Sequence, residues 1–390
     1  MKSYFLILIV IGVFAYACTE QPIGSQPSEN TPPGPISDVK VENTPGGAIL
    51  TYKLPTDEDL LYVKAVYTLK EGVTSEARAS MYTDTLKVAG FGDMLPREVT
   101  LIAVDRSRNE SAPVTVTINP MEPSVLTIGK NINLVSDFGG VHAYWSNPTR
   151  AEVSVVLLKE DNNKDFVPLQ TFYSTMEAGE GARRGMDTIP AKFGIYVQDR
   201  WSNRSETKYF TLTPIYETKF DRLKFREVKL PGDEPAAWGW VMPRLWDNII
   251  GDQGFHTGNG TGRWPHAFTI DLGVTGKLSR VIEWQRQGTW IYMHGNLKKF
   301  EVYGAETLDP TGNWASWTLL MTCNSIKPSG LPTGQVSAED KAWAAKGEEF
   351  LNSPGNPRIR YIRIKALQSW SDGDFLHFSE IQFFGDNRPK

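Results

Sequence analysis

One short pattern occurs twice in the chain, at a spacing close to the size of a small domain. Residues 99–111 (VTLIAVDRSRNES) align with residues 193–206 (FGIYVQDRWSNRSE), because both run from an apolar strand through Asp-Arg into a polar turn. Asp105 and Asp199 stand 94 residues apart. A repeat at this period predicts two consecutive units of one fold. We interpret the Asp, Asn and Ser of both turns as structural, since such side chains close turns by bonding to the backbone.

Around this repeat, apolar and polar residues alternate over short runs. Five such runs lie between residues 36 and 120, with Gly, Pro, Asn or Asp between them. In one run Val63, Ala65 and Tyr67 share a face, which is the pattern of a strand with one buried side. The pattern predicts an immunoglobulin-like or fibronectin type III-like sandwich over residues 36–120 and a second over 121–215, whose first strand lies in VLTIGKNINLVSD.

The remainder, residues 216–390, contains most of the 12 Trp and predicts a third β-sandwich. Its strand-like runs are HAFTIDLG, LSRVIEWQRQ, LKKFEVYGAE, SWTLLMTC, YIRIKALQ and SEIQFFG. One insert has a helical pattern, with Ser337 as N-cap, Asp340 three residues further on and Gly347 as the stop. The whole chain is therefore predicted to be all-β, with two tandem sandwiches followed by a third.

The N-terminus has the pattern of a targeting segment. Residues 1–17 begin with Lys2, continue with an apolar run and end in small residues directly before Cys18, as in a signal peptide. This arrangement resembles a bacterial lipobox, in which Cys18 becomes the lipidated first residue of the mature chain. The alternative is an ordinary secretory peptide with an incidental Cys. Residues 18–35 are polar and rich in Pro and Ser, which predicts an extended tether.

Composition and missing motifs exclude several functions. A net charge of −4 leaves no basic surface of the kind that nucleic-acid binding needs. Two Cys are too few for a disulfide framework, and Cys323 is predicted to be a buried apolar residue. No zinc-protease, serine-hydrolase, phosphate-loop or dinucleotide motif occurs, so we predict that the chain is not an enzyme. A glycoside hydrolase or lyase remains the open alternative, because paired carboxylates can meet from distant positions.

Several motifs of the last third follow one another in the order of a known family. Trp264 precedes Ile270-Asp271-Leu272-Gly273, Arg286 follows a central strand, and Arg360-Tyr361-Ile362-Arg363 precedes Glu380. In this order the motifs resemble discoidin, or coagulation-factor C-type, domains, the galactose-binding-like fold of many carbohydrate-binding modules. The resemblance implies a jelly-roll sandwich with binding loops at one end.

With a lipobox and two sandwiches upstream, the whole chain resembles surface lipoproteins of polysaccharide-utilisation systems in Bacteroidetes. The resemblance implies a non-catalytic protein at the outer membrane that captures polysaccharide or oligosaccharide beside an importer, and that is attached to the membrane by lipid. The alternative is a structural adaptor that docks on the importer, in which case exposed loop aromatics would form a protein contact.

Sugar binding requires aromatic faces for the C–H side of the ring and fixed polar groups for the hydroxyls. Three loops, at residues 255–264, 286–296 and 368–374, place Trp, Tyr and His beside Arg and Asn. His256 is also consistent with an ordinary solvated loop residue. We expect the loops to meet at one end of the third sandwich. The predicted ligand-binding residues are Arg286, Trp290, Tyr292, His294, Trp370 and His256.

Other roles remain open for some of these and neighbouring residues. Arg286 is also consistent with a structural ion pair. Trp238 and Trp240 alternate along the chain and are interpreted as packing against the preceding domain. Arg360 and Arg363 alternate with apolar residues, which predicts that both lie on the solvent face of their strand.

The resemblance also implies a structural calcium ion at the base of the sandwich. Calcium takes roughly six to eight oxygen ligands, several of them loop carbonyls. By motif position, the candidate ligands are Asp247, Asp252, Thr257 and Glu380. Asn248 stands where the family has Gly.

Overall fold

The computed structural model describes residues 30–258, 264–371 and 373–389. Three antiparallel sandwiches follow one another, two immunoglobulin-like and one discoidin-like, so the predicted fold class is confirmed. The predicted signal peptide and Cys18 lie outside the described residues, and the predicted tether is described only from residue 30 onward. Among the described residues, no helix has the length and apolar character that crossing a membrane would require.

The first sandwich packs a three-stranded sheet, in the order β1-β2-β5, against a four-stranded sheet, in the order β4-β3-β6-β7. Val63 and Ala65 are completely buried and Tyr67 nearly so, which confirms the predicted apolar face. The strands are β1 Ser37–Thr44, β2 Gly47–Lys53, β3 Leu60–Lys70, β4 Val73–Ser80, β5 Thr85–Ala89, β6 Arg97–Asp105 and β7 Val114–Ile118.

The second sandwich repeats this plan, with sheets β12-β9-β8 and β11-β10-β13-β14. The run predicted to contain its first strand begins differently, because Ser124–Asn131 forms helix α1 and only Asn133–Asp137, at the end of the run, forms a strand. Val125, Ile128 and Gly129 are buried, at the spacing of one helical face. The strands are β8 Asn133–Asp137, β9 Gly140–Ser146, β10 Val153–Glu160, β11 Phe166–Ser174, β12 Ala178–Arg183, β13 Ala191–Gln198 and β14 Lys208–Leu212.

The repeated turns have the predicted structural role in both sandwiches. Asp105 Oδ1 accepts a hydrogen bond from the backbone N–H of Asn109 at 2.8 Å. Asp199 Oδ1 accepts from the backbone N–H of Asn203 at 2.9 Å. The Asn203 side chain also donates to the Gly90 carbonyl of the first sandwich at 3.0 Å, so the second turn helps to join the two sandwiches.

The third sandwich is built on one sheet in the order β15-β24-β18-β22-β19-β20, with β16 and β21 also paired to β18. Strand β18 is continuous, so the two runs predicted as separate strands form a single one. The strands are β15 Thr218–Lys219, β16 Arg226–Val228, β17 Phe255–His256, β18 His266–Trp284, β19 Leu297–Ala305, β20 Thr318–Asn324, β21 Glu348–Leu351, β22 Arg358–Ser369, β23 His377–Phe378 and β24 Glu380–Asp386.

The predicted insert helix is present as α2, Ala338–Lys346. Ser337 Oγ accepts from the Asp340 N–H at 3.1 Å, and Asp340 Oδ2 accepts from the Ser337 N–H at 2.9 Å. This reciprocal pair is the capping box that the sequence predicted. Gly347 ends the helix with φ of 82°, a conformation that a side chain would strain.

The prediction for Arg363 is wrong, because its side chain is only 1% exposed. Residues 231 and 312 lie over this part of β22, and Arg363 Nη1 donates to the Gly312 carbonyl at 2.7 Å. Arg360 does lie at the surface, with 44% of its side chain exposed, and pairs with Asp271. Cys323 is completely buried, as predicted, and burial raises the pKa of its thiol.

Charged side chains join the second and third sandwiches. Arg184 Nη2 lies 3.2 Å from Asp137 Oδ2, while Nη1 lies 3.2 Å from Glu217 Oε1 and donates to Ser279 Oγ at 3.2 Å. Arg280 Nε lies 3.0 Å from the same Glu217 oxygen. Glu217 thus pairs with Arg280 of its own sandwich and with Arg184 of the second. The Arg184 contact orients the third sandwich on the second.

Two buried carboxyl groups face each other in the core of the third sandwich. Glu283 on β18 pairs with Glu348 on β21 in the antiparallel register, and the side chains are nearly inaccessible to solvent. Burial, and then the neighbouring Glu348, raises the pKa of Glu283 well above its ordinary value. Since a raised carboxyl pKa favours the protonated form, the stability that Glu283 contributes is present at acidic pH and is lost as pH rises.

We therefore expect Glu283→Gln to raise the unfolding temperature at about pH 8 and to change it little at about pH 4. The amide keeps the shape of the protonated acid and cannot ionise, so the stability of the variant falls less with rising pH. Thermal unfolding across this pH range measures the difference. The exposed Glu306→Gln is the control, and an equal pH dependence of wild type and Glu283→Gln would contradict the expectation.

Candidate functional site

Most of the predicted ligand residues do meet at one end of the third sandwich. Strands β17 and β23 form a short ladder there, in which His256 lies opposite His377. Arg286 follows the end of β18, and Trp290 and His294 lie in the loop that leads into β19.

Six side chains at this end contact one another in a closed circuit. The guanidinium carbon of Arg286 lies 4.7 Å from the ring centre of Trp240 and 4.3 Å from that of Trp290, so its charge lies against two indoles. Each such cation–π contact contributes roughly 0.5–2 kcal/mol. We refer to the circuit as the Arg286 cluster, which consists of Arg286, Trp240, His256, Phe375, His294 and Trp290.

Ring contacts complete the circuit. The rings of His256 and Phe375 stack, with centres 5.0 Å apart and planes within 9°. The ring of Phe375 lies 6.4 Å from that of His294, which meets Trp290 edge to face at 4.5 Å. Trp240 meets His256 edge to face at 5.6 Å, which returns the circuit to Arg286. The side chains support one another's orientations, so the cluster is preorganised.

Arg286 is only partly used by the protein. Its Nε donates to Asp252 Oδ1 at 2.8 Å, which confirms the interpretation as an ion-pair partner. Among the residues that the structure describes, none accepts a hydrogen bond from its two terminal nitrogens. About 15% of the side chain is exposed. The ion pair therefore fixes the guanidinium plane, and its terminal nitrogens, which no described residue uses, are planar donors suited to a hydroxylated ligand.

Two histidines of this end, His256 and His377, have lowered pKa values and are neutral near neutral pH. Burial lowers the pKa of His256, and it lowers the pKa of His377 well below the ordinary value. The nearby Arg286 and His294 lower both pKa values further. A neutral imidazole has one N–H donor and one acceptor nitrogen, a combination that suits sugar hydroxyls. The Arg286–Asp252 ion pair lies beside these neutral rings.

Tyr292 was predicted as a ligand residue, but the structure places it in the core and outside the cluster. Its ring is completely buried, and its hydroxyl donates to the Ile326 carbonyl at 3.0 Å. The backbone at Tyr292 has φ of 53°, so the loop is not extended there and alternate residues do not share a face. Trp290 and His294 consequently lie in the cluster while Tyr292 lies in the core.

Trp370 also lies apart from the cluster. Its half-buried ring packs edge to face on Tyr292, with ring centres 5.0 Å apart, and its indole N–H donates to Ser325 Oγ at 3.4 Å. Lys298 Nζ lies 5.2 Å from the ring centre. The structure thus gives Trp370 packing partners of its own. Asp372 and residues 259–263, which belong to the predicted loops, lie outside the described residues.

Trp240 and Phe375 belong to the cluster and were missed by the sequence analysis. The prediction that Trp240 packs against the preceding domain is wrong, since its ring contacts Arg286 and His256. Trp238 packs on no core, because 71% of it is exposed. The concentration of His in the last third of the sequence indicates this end of the sandwich. No local motif indicates that Trp240 or Phe375 belongs to it.

The four candidate calcium ligands do not form one oxygen cage. Asp252 pairs with Arg286, and the Thr257 hydroxyl is hydrogen-bonded to the main chain of Leu376. Burial raises the pKa of Glu380 to about 7, and the nearby Asp247 contributes to the rise. In the described parts of the chain, no group of three or more His, Cys, Asp and Glu is arranged to hold a metal.

An arginine supplies the positive charge beside Glu380. Arg222 Nη1 lies 2.6 Å from Glu380 Oε1 and donates to Asn248 Oδ1 at 2.9 Å. Its Nε donates to Gln382 Oε1. A guanidinium thus stands where the resemblance places a cation, so the donor set present here does not fit a calcium ion.

Three protein families, each described as a domain of unknown function, match the chain in succession. They are DUF4959 over residues 33–120, DUF5126 over 121–223 and DUF5000 over 246–385. No curated protein matches the sequence.

Solved structures are similar to part of the chain. A carbohydrate-binding module of Clostridium perfringens, solved in complex with GalNAc-β-1,3-galactose, shares 13% identity over 43% of this chain and 99% of its own, with a TM-score of 0.30. Two fibronectin type III domains of chicken tenascin share 15% identity over 46% of this chain and 98% of their own, with a TM-score of 0.22.

One relative shares substantially more sequence. The SusE-like protein BT2857 is 32% identical, with 68% of this chain and 100% of that chain covered, and a TM-score of 0.47. Identity at this level over the full length of the relative shows common family. The chain belongs to the family of SusE-like proteins.

Proposed function

We propose that this chain is a non-catalytic, lipid-anchored protein of the cell surface that binds polysaccharide or oligosaccharide at the Arg286 cluster. The observation that carries the proposal is the guanidinium of Arg286, held against Trp240 and Trp290 with terminal nitrogens that the described residues leave unused. Indole faces suit the C–H side of a sugar ring, and fixed planar donors suit its hydroxyls.

The family and the N-terminus support the proposed location. Membership of the SusE-like family supports a place at the outer membrane beside a glycan importer. The segment Ala15-Tyr16-Ala17 before Cys18 supports lipid attachment at that residue. A single acyl chain binds membranes only weakly, so a stable anchor requires more than one acyl group on Cys18.

Replacing Arg286 tests the site directly. We expect Arg286→Ala to weaken retention of polysaccharide in an affinity gel by roughly 10- to 100-fold, because hydrogen bonds from a charged group contribute about 1.5–3 kcal/mol. Trp290→Ala should weaken retention as well, through the lost stacking face. The gels should contain a panel of plant, algal and host polysaccharides, since the sugar is not specified by the stacking surface.

Two variants of the same domain serve as controls. Arg360→Ala removes an arginine that pairs with an Asp outside the cluster, and Trp343→Ala removes a partly exposed indole on α2. Both should bind like the wild type. Unchanged retention by Arg286→Ala and Trp290→Ala across the panel would contradict the site, and turnover of any polysaccharide by the pure protein would contradict a non-catalytic role.

A second candidate is a structural adaptor that docks on a membrane importer. Exposed apolar side chains favour it, since Leu223 is 84% and Ile249 is 65% exposed. Exposed apolar residues of this kind mark protein contacts when they are contiguous. Co-purification of the chain with membrane proteins, together with no retention by any polysaccharide, would favour the adaptor over glycan capture.

A further inference from the structure

A tight turn beside the Arg286 cluster carries an indole in an unusual position. The turn spans residues 237–240 and is closed by the Trp240 N–H, which donates to the Ala237 carbonyl at 2.9 Å. Both central residues are left-handed, with φ of 58° at Trp238 and 74° at Gly239. Two successive positive φ values are the signature of a type I′ turn, whose first central position favours Asn, Asp or Gly.

Trp238 is unfavourable at this position in two ways. A bulky residue with positive φ is an outlier, because its Cβ lies too close to the backbone. The strain is not offset by burial, since 71% of Trp238 is exposed. A side chain that is both strained and solvated contributes little to folding, and strained residues of this kind are typical of ligand-binding positions.

The turn is fixed to the cluster through backbone and ring contacts. The Ala237 N–H donates to the His256 carbonyl at 2.9 Å, and the His256 N–H donates to the Trp240 carbonyl at 3.2 Å. The Trp240 ring in turn lies against His256 and the Arg286 guanidinium. Trp238 therefore stands beside Trp240 on a segment whose position the cluster determines.

The aromatic groups follow one another in a definite order. Arg286 lies between Trp240 and Trp290 in the circuit of contacts, and the turn places Trp238 on the Trp240 side. An exposed indole thus lies two residues from Trp240, on the segment that the cluster holds in place. One sugar ring stacked at Trp290 does not account for this additional exposed indole.

We propose that Trp238 is a second stacking platform, and that the ligand is a stretch of several linked sugars rather than a single terminal sugar. This inference rests on the proposed function, because it assumes that carbohydrate binds at the Arg286 cluster. One sugar unit contacts the cluster between Trp240 and Trp290, and a unit further along the glycan stacks on Trp238.

The test compares oligosaccharides of increasing length. Titration calorimetry is carried out on the full mature chain with α-1,4-glucan, β-1,4-glucan, β-1,4-xylan and β-1,4-mannan series, from single sugars to chains of about eight units. We expect wild-type affinity to rise with length in at least one series. Trp238→Asn should bind the longer chains roughly 3- to 10-fold more weakly, with unchanged affinity for the shortest sugar that binds.

The variants are chosen so that a loss of affinity cannot come from a loss of folding. Asn favours the left-handed turn, so Trp238→Asn should unfold at the same or a higher temperature than the wild type. Trp238→Tyr keeps a stacking ring and should recover most of the affinity for long chains. Equal affinity of wild type and Trp238→Asn at every length overturns the inference and leaves the proposed function intact. A wild type that binds no series, and no polysaccharide of the affinity-gel panel, overturns both.

Discussion

Arg363→Ala is expected to lower the free energy of unfolding by about 3–5 kcal/mol, because it leaves a buried charge without its partner. The Arg363 side chain is 1% exposed, and Nη2 lies 2.8 Å from Asp233 Oδ1. Nη1 donates to the Gly312 carbonyl at 2.7 Å and Nη2 to the Pro231 carbonyl at 3.1 Å. Without the guanidinium, Asp233 keeps only part of its hydrogen bonding in a dry environment.

The neighbouring Arg360 provides a matched control. It lies on the same strand and also pairs with an Asp, but 44% of its side chain is exposed. Surface pairs contribute about 0–1 kcal/mol, so Arg360→Ala should change stability little. Chemical denaturation of both variants measures the contrast. If the two variants lose equal free energy of unfolding, burial does not determine how much the Arg363–Asp233 pair contributes to stability.

Arg222→Ala is expected to have the second large effect, a loss of about 3 kcal/mol. Glu380 is 1% exposed, and the Arg222 guanidinium lies 2.6 Å from its Oε1. Removal of Arg222 leaves Glu380 and Asp247 near each other with only Lys219 as a neighbouring cation, and it also removes the donors to Asn248 and Gln382. Thermal unfolding of the variant measures this loss.

Thermal unfolding also shows whether Arg222 or a calcium ion supplies the positive charge beside Glu380. If Arg222 supplies the positive charge, EDTA and added calcium should each leave the unfolding temperature of the wild type unchanged. The partly exposed Arg244→Ala, which removes an arginine of the same domain, should be as stable as the wild type. A calcium-dependent rise in the wild-type unfolding temperature would contradict this role for Arg222 and restore the ion that the resemblance implies.

The fold was predictable wherever local patterns determine it. The alternation at Val63, Ala65 and Tyr67 gave the buried face of a strand, and Ser337 with Asp340 gave a capped helix. Helix α1 was missed, because a short apolar run fits a buried strand as well as a helix. Arg363 was misplaced because the residues that cover it come from segments distant in sequence.

The sequence predicted which loops form the site better than which residues of those loops take part in it. Arg286, Trp290, His294 and His256 do come together, since loops at one end of a sandwich converge. Tyr292 lies in the core because the backbone of its loop turns left-handed, which no pattern of residue types indicates. The cluster is completed by Trp240 and Phe375 from two other segments, and only the folded chain shows that they meet.

The central claim is that glycan contacts the Arg286 cluster, and the indole N–H signals of the tryptophans test it most directly. Each Trp gives one resonance, assignable by single substitutions, that can be followed during titration with a polysaccharide retained in the affinity gel. If glycan binds at the cluster, the Trp240 and Trp290 signals shift with saturation, while the Trp343 signal on α2 stays fixed. Saturable binding that leaves the Trp240 and Trp290 signals unmoved would contradict the claim.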